Sequence, residues 1–303
     1  MSLALFAGLS KISTDSINPG IKTSPLEVHI FSKHLQFLNI EMAAQVAAEM
    51  GFAGLDLTVR PNGHILPERV QSDLPNAVEA VNRVGLTCKM ITTAIADAKS
   101  SVDKNVITTA SSLGIKYYRS NWFTYLDDHS LEDSLQYYSD KLEQLSKLNK
   151  EYNLIGCYQN HSGLKIGASV WEVNKILEHV DPDHFGVQYD IRHAVVEGGR
   201  SWPNGVRLMK DRIKTIVLKD FKWGKVNGQW QIINVPIGEG MVDFRKYFQI
   251  LKEYELAPPV SLHVEYPIGG AEKGKSKIEI PEEQVFQAME KDLLTIQKLW
   301  LST

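Results

Sequence analysis

Eight short apolar runs rich in β-branched and aromatic residues alternate with longer segments of helical period, the rhythm of repeated βα units and a parallel sheet. At 303 residues with 43% hydrophobic content, the chain can bury one large core. No glycine-rich GxGxxG turn follows the first run, so nothing signals the two halves of a doubly wound sheet. Together these observations predict an α/β chain folded as a single (β/α)8 TIM barrel over residues 27–303, preceded by an irregular segment over 1–26.

The elements follow in order. The first run, Val28–Ser32, leads to a helical segment from near Asn39, in which Met42 to Glu49 are strong helix formers and Gly51 is a stop. The second run, Gly54–Thr58, is followed by a helix from near Pro67, a residue suited to a first helical turn. Val84-Gly85-Leu86 ends that helix and opens the third run, Thr87–Thr92, and the next helix begins near Ala98. Leu113-Gly114-Ile115 repeats the pattern before the fourth run, Tyr117–Ser120, and the helix from Leu131. The remaining runs are Ile155–Gln159, Phe185–Tyr189, Thr215–Leu218 and Ser261–Glu265, with helices from near Ala168, Trp202, Asp243 and Pro281. One extended stretch, Phe221 to Val242, carries Asn227-Gly228 between apolar segments and reads as a hairpin-bearing loop over the barrel mouth.

The bulk properties narrow the partners. A net charge of -3 with mixed signs supplies no basic stripe for a phosphate backbone, which argues against nucleic acid and for a small solute. Cys88 and Cys157 each lie inside an apolar run and show no disulfide or CxxC spacing, as expected of buried free thiols. No apolar stretch approaches the roughly 20 residues that span a bilayer, so no membrane partner is expected. Met1-Ser2-Leu3 before Ala4-Leu5-Phe6-Ala7 has the look of an expression leader on a trimmed precursor. The sequence is therefore compatible with a cytoplasmic chain or one exported to the periplasm after loss of a leader, and with a homo-oligomer.

In a barrel the active site is built where the strands end, and the polar residues cluster there. Lys33 and His34 follow the first strand, Arg60 and His64 the second, and Arg119 and Trp122 the fourth. The fifth ends Tyr158-Gln159-Asn160-His161, and the sixth ends in Asp190 and His193 with Glu197 beyond. The seventh gives Lys219-Asp220, and the eighth gives His263 and Glu265. A lone Asp before a helix is usually a cap and a lone Arg usually ion-paired. Four consecutive strands ending in amide, carboxylate, ammonium and imidazole groups make a common site for Asp190, His193, Lys219 and Glu265 the better reading. Lys33, Arg60, His64 and Arg119 are candidates to bind hydroxyls or a carboxylate, and Trp122, Trp223 and Tyr158 to stack on a sugar ring. His34, Asn160, Glu197 and His263 complete the substrate-binding candidates, while Trp171 and Trp202, at helix starts, are expected in the core.

Read in order, these strand ends resemble the sugar phosphate isomerase/epimerase family of xylose isomerase-like TIM barrels, in which strands five to eight supply Glu, Asp, His and Glu to one divalent metal. Asp190-x-x-His193 matches the family's strand-six motif, and Glu265 the strand-eight Glu that acts as ligand and base. Two positions depart. Gln159 stands where the family has a ligand Glu, and a neutral amide is a weaker donor to a hard cation. Val217, in Val217-Leu218-Lys219-Asp220, stands where the family has a ligand His. The resemblance thus implies Mn, Mg or Zn on Asp190, Glu265 and Gln159, an expectation those two changes weaken. The ammonium of Lys219, on the strand face of Val217, is a candidate to stabilise an enediolate in the metal's place, or is simply the family's own Lys-Asp pair, which follows its ligand without replacing the metal. The activity implied is proton abstraction beside the carbonyl of a ketose or keto-sugar, with Glu265 as base and Lys219, His193 and His161 assisting. The alternatives are a 3-keto-glycoside lyase using the same first step and a non-catalytic sugar-binding barrel. With no glycine-rich phosphate cradle in the chain, a non-phosphorylated sugar is slightly favoured.

Overall fold

The computed structural model describes residues 24–303, so the leader reading of the first residues lies outside the described part. Eight parallel strands close into a barrel: β1 (Val28–Phe31), β2 (Gly54–Val59), β3 (Thr87–Thr93), β4 (Tyr117–Arg119), β5 (Ile155–Gln159), β6 (Phe185–Asp190), β7 (Ile213–Leu218) and, last in the chain, β10 (Val260–Leu262). The barrel shuts where Val28 to Ile30 of β1 register against Val260 to Leu262 of β10. Between β7 and β10 stands an antiparallel pair, β8 (Asp220–Val226) and β9 (Gln229–Val235). It is the expected hairpin, turning on Asn227 and Gly228 at φ 51° and 81°, the left-handed geometry that an Asn-Gly type I′ turn requires.

The outer helices are α1 (Ile40–Glu49), α2 (Val70–Arg83), α3 (Ser101–Ser112), α4 (Leu131–Glu151), α5 (Val170–Ile176), α6 (Ile191–Gly198), α7 (Trp202–Met209), α8 (Phe244–Glu253) and α9 (Glu282–Leu301). Most begin at a side chain that accepts a backbone N–H: Asn39, Ser100, Ser130, Ser169, Asp190 and Asp243. Helix α6 is a correction, because the sequence reading places no helix between the sixth strand and Trp202. Asp190 both ends β6 and caps α6, its Oδ1 accepting from His193 N at 3.1 Å, so chain that read as loop is helical. Trp171 is a second correction: it is 65% exposed, whereas Trp202 is in the core as expected. Both cysteines are free and buried.

Strand alternation separates site from core. Tyr118, Tyr158 and Tyr189 each precede a strand-ending polar residue and point outward to the helices. The Tyr118 hydroxyl donates to Asn149 on α4, and Tyr189 stacks at 6.3 Å on Tyr247 of α8. Their successors Arg119, Gln159 and Asp190 therefore face the barrel axis.

Candidate functional site

At the C-terminal mouth of the barrel, Lys219 stands at the centre of a buried cluster. Its ammonium lies 3.1 Å from Asp190 Oδ2, 3.4 Å from Glu265 Oε2 and 2.9 Å from His193 Nε2. Glu265 is the most accessible of the four, with 24% of its side chain exposed. Burial by itself would raise the Glu265 carboxyl, but Lys219, His263 and Lys33 outweigh it and hold the group ionised, well below the usual carboxylate range. Glu265 Oε1 lies 3.9 Å from the Lys33 ammonium and 3.6 Å from His263 Nδ1. Burial, then the Lys219 charge, keeps His193 neutral, and Arg192 adds a second cation 3.0 Å from its Nδ1.

Above this cluster opens a cavity of about 320 Å³. Lys33, Arg60, Arg119, Trp122, Gln159 and His161 line it with Lys219, His263 and Glu265, so most of the expected site residues meet there. The His161 ring packs 4.1 Å from that of His193 and 4.6 Å from that of Trp122. Its Nδ1 donates to the Ser162 carbonyl at 2.9 Å, which leaves Nε2 as an acceptor, and burial lowers its pKa to about 4.

Six expected substrate-binding residues lie elsewhere, among them Trp223, which is 43% exposed on β8 and does not line the cavity. Tyr158 is fully buried, its hydroxyl accepting from Phe123 N and donating to Ile166 O, because it alternates with Gln159 and faces outward; it cannot stack on a sugar. His34 Nε2 accepts from Val264 N at 3.0 Å and so fixes the backbone just before Glu265. Asn160 exchanges two hydrogen bonds with the Asp190 backbone, clamping β5 to β6. His64 bonds Ser32 Oγ and does not line the cavity. Glu197 accepts from Gly163 N and borders a separate cleft of about 570 Å³ with Trp171 and Trp202.

Other contributors escaped the sequence reading. Phe31 stacks on His263 at 4.2 Å, and its place as the last residue of β1 was the available signal. Asn234, on the hairpin, accepts from Arg192 and donates to the Glu265 carbonyl, and no local pattern marks it. Asp220 serves structure: its carboxylate accepts from the backbone of Phe221, Gly238, Gly240 and Val242 and anchors the return of the hairpin.

The donor set does not fit a divalent ion. Val217 is buried and apolar, and Gln159 turns its Nε2 to Asp190 Oδ2 at 2.8 Å. The Lys219 ammonium already occupies the space between the two carboxylates. Among the described residues no group of three or more His, Cys, Asp or Glu is arranged to hold a metal.

A family model described as a xylose isomerase-like TIM barrel matches residues 44–288. No curated protein sequence matches the chain. Among solved structures, an IOLI protein with a bound zinc atom superposes with TM-score 0.71 at 16% identity, over 92% of this chain and 100% of that one. The D-psicose 3-epimerase of Clostridium cellulolyticum H10 with D-tagatose gives 0.68 at 11% identity, over 91% and 99%. The apo 3-keto-D-glucoside 4-epimerase of E. coli gives 0.65 at 15% identity, over 89% and 99%. These likenesses concern the fold.

Proposed function

Because the chain belongs to the xylose isomerase-like TIM barrel family, we propose that it is a sugar isomerase or epimerase that removes a proton from the carbon beside the carbonyl of a ketose or keto-sugar. The observation that carries this reading is the pairing of an ionised, accessible Glu265 with the Lys219 ammonium 3.4 Å away on the floor of a cavity. Two of the similar structures are epimerases by name, one of a ketose and one of a keto-glucoside, which supports the same chemistry.

The contact to Glu265 is the longest of the three that Lys219 makes, so it is the one a substrate carbonyl oxygen takes over. Glu265 then accepts the proton, the C–H electron pair forms the carbon–carbon double bond, and the carbonyl π pair moves onto the oxygen facing Lys219. For isomerisation, protonated Glu265 delivers the proton to the former carbonyl carbon while the proton of the neighbouring hydroxyl passes to the oxygen facing Lys219, so the carbonyl moves over by one carbon; epimerisation instead takes its proton from the opposite face of the enediolate. A strongly acidic Glu265 is a weak base, and losing its contact with Lys219 restores part of its basicity. His161 Nε2 accepts from a substrate hydroxyl.

The test is exchange of substrate C–H with solvent deuterium, followed by NMR across ketoses and 3-keto-glycosides. Wild type should exchange the proton beside the carbonyl, and E265Q should lose about 10²–10⁴-fold in rate with the fold intact. Undiminished exchange in E265Q overturns Glu265 as base, and glycosidic cleavage would identify a lyase working through the same first step.

A further inference from the structure

Charge is distributed unevenly around the cavity. Lys33, Arg60, Arg119 and Lys219 face it, and Glu265 is the one carboxylate among the described residues that line it. The ion pairs at the site join Lys33 and Lys219 to Glu265, and Lys219 to Asp190. The arginines are left out. On their side Asp56 is fully buried and hydrogen-bonded to Thr92 and Ser261, and its charge acts on both arginines without an ion pair to either.

Arg119 is only 4% exposed, yet one nitrogen alone, Nη2, finds an acceptor, the Thr93 carbonyl at 3.1 Å. Its Nε and Nη1 meet no protein acceptor, and neither does the indole N–H of Trp122 beside it. The guanidinium lies 4.1 Å from the Trp122 ring centroid and the Lys165 ammonium 4.4 Å, so one indole carries two cations. Burial, then the neighbouring Arg60, lowers the proton affinity of Arg119, and the attraction of Asp56 offsets only part of that. Buried donors without partners are rare and costly, and an unpaired buried guanidinium more so.

We propose that the substrate is an anionic sugar whose carboxylate or phosphate is received by Arg119 and Arg60 on the β2–β4 side, opposite Lys219 and Glu265. This rests on the reading of the cavity as a sugar proton-transfer site. A neutral sugar would leave the buried donors of Arg119 to hydroxyls, which cannot offset its charge, whereas an oxyanion satisfies both arginines by charge-assisted hydrogen bonds. It also gives the sugar one orientation, with anion and carbonyl at opposite walls of the cavity.

The experiment is calorimetric titration of wild type and of E265Q with D-glucuronate, D-glucose 6-phosphate and D-glucose. At least one anion should bind E265Q ten-fold or more tightly than D-glucose, with a preference that weakens in salt. Which anion it is separates carboxylate from phosphate. R119Q should lose that preference, and R60Q, at a more accessible position, should weaken it if R119Q fails to fold. Equal affinity for D-glucose, no saturable binding of either anion, or an undiminished preference in folded R119Q or R60Q overturns the proposal. Because the readout is binding by a variant without its base, preferential anion binding by a wild type that exchanges no proton would sink the reaction and leave this inference standing.

Discussion

Single residues decide what this barrel mouth can do, and Lys219 decides most. Its grouping with Asp190, His193 and Glu265 was legible because all four follow strands of a barrel, which turns positions far apart in sequence into neighbours. Tyr158 was misread although the necessary signal was present: it alternates with Gln159, so it had to face the helices. Partners fixed by tertiary contact, such as Val264 N for His34 or Gly163 N for Glu197, leave no mark in the sequence. Lys219→Met should leave Asp190 and Glu265 without their shared cation and cost about 3–5 kcal/mol in a urea unfolding series. Adding Asp190→Asn should recover part of that loss, since asparagine keeps the cap on α6 while removing the stranded charge. A double variant no more stable than K219M would show that Lys219 is not the neutralising group.

At the scale of elements, hairpin and strands were legible from Asn227-Gly228 and from period-two runs, whereas α6 was not. Asp190 was read for its chemistry, and its second role as a cap hid the helix that begins beside it. Another junction joins three elements through one carboxyl: Asp292 of α9 accepts from Ile237 N beyond β9 and from the Tyr266 hydroxyl beyond β10. Burial pushes Asp292 up to about 7, above its unfolded value near 4. The folded state then holds this proton more tightly than the unfolded chain, so the contribution is complete below about pH 4 and lost as pH rises toward 7. Asp292→Asn should remove the dependence. Unfolding free energies from urea titrations at pH 5 and pH 8 should differ less for D292N than for wild type, by about 1.4 kcal/mol for each pH unit inside the window. Equal differences in the two proteins would mean that Asp292 titrates normally.

For the whole molecule, alternation of runs was enough to foresee a closed barrel, because eight right-handed βα units with no switch in rhythm leave little else to build. The tie of Ser24 and Leu26 to the last helix was not foreseeable. Gln297 of α9 brackets Leu26 by both its amide groups, and the Trp300 indole donates to the Ser24 carbonyl, contacts between segments over 270 positions apart. At this scale the charge at the mouth also becomes a property of the protein as made. Dialysis against EDTA should leave the thermal midpoint unchanged, and Mn, Mg or Zn should not raise it. A saturable rise with any of them would reveal a native-state site and contradict the reading of Lys219.

An ion held by coordination exchanges with its surroundings, so the working fraction of such an enzyme follows supply and competition from every other chelator nearby. The ammonium between Asp190 and Glu265 is written into the chain and delivered at one per molecule by translation. It cannot be stripped or swapped for a wrong neighbour in the periodic series. It also brings one positive charge where a divalent ion brings two, and the pairing of Lys33 with Glu265 adds a second.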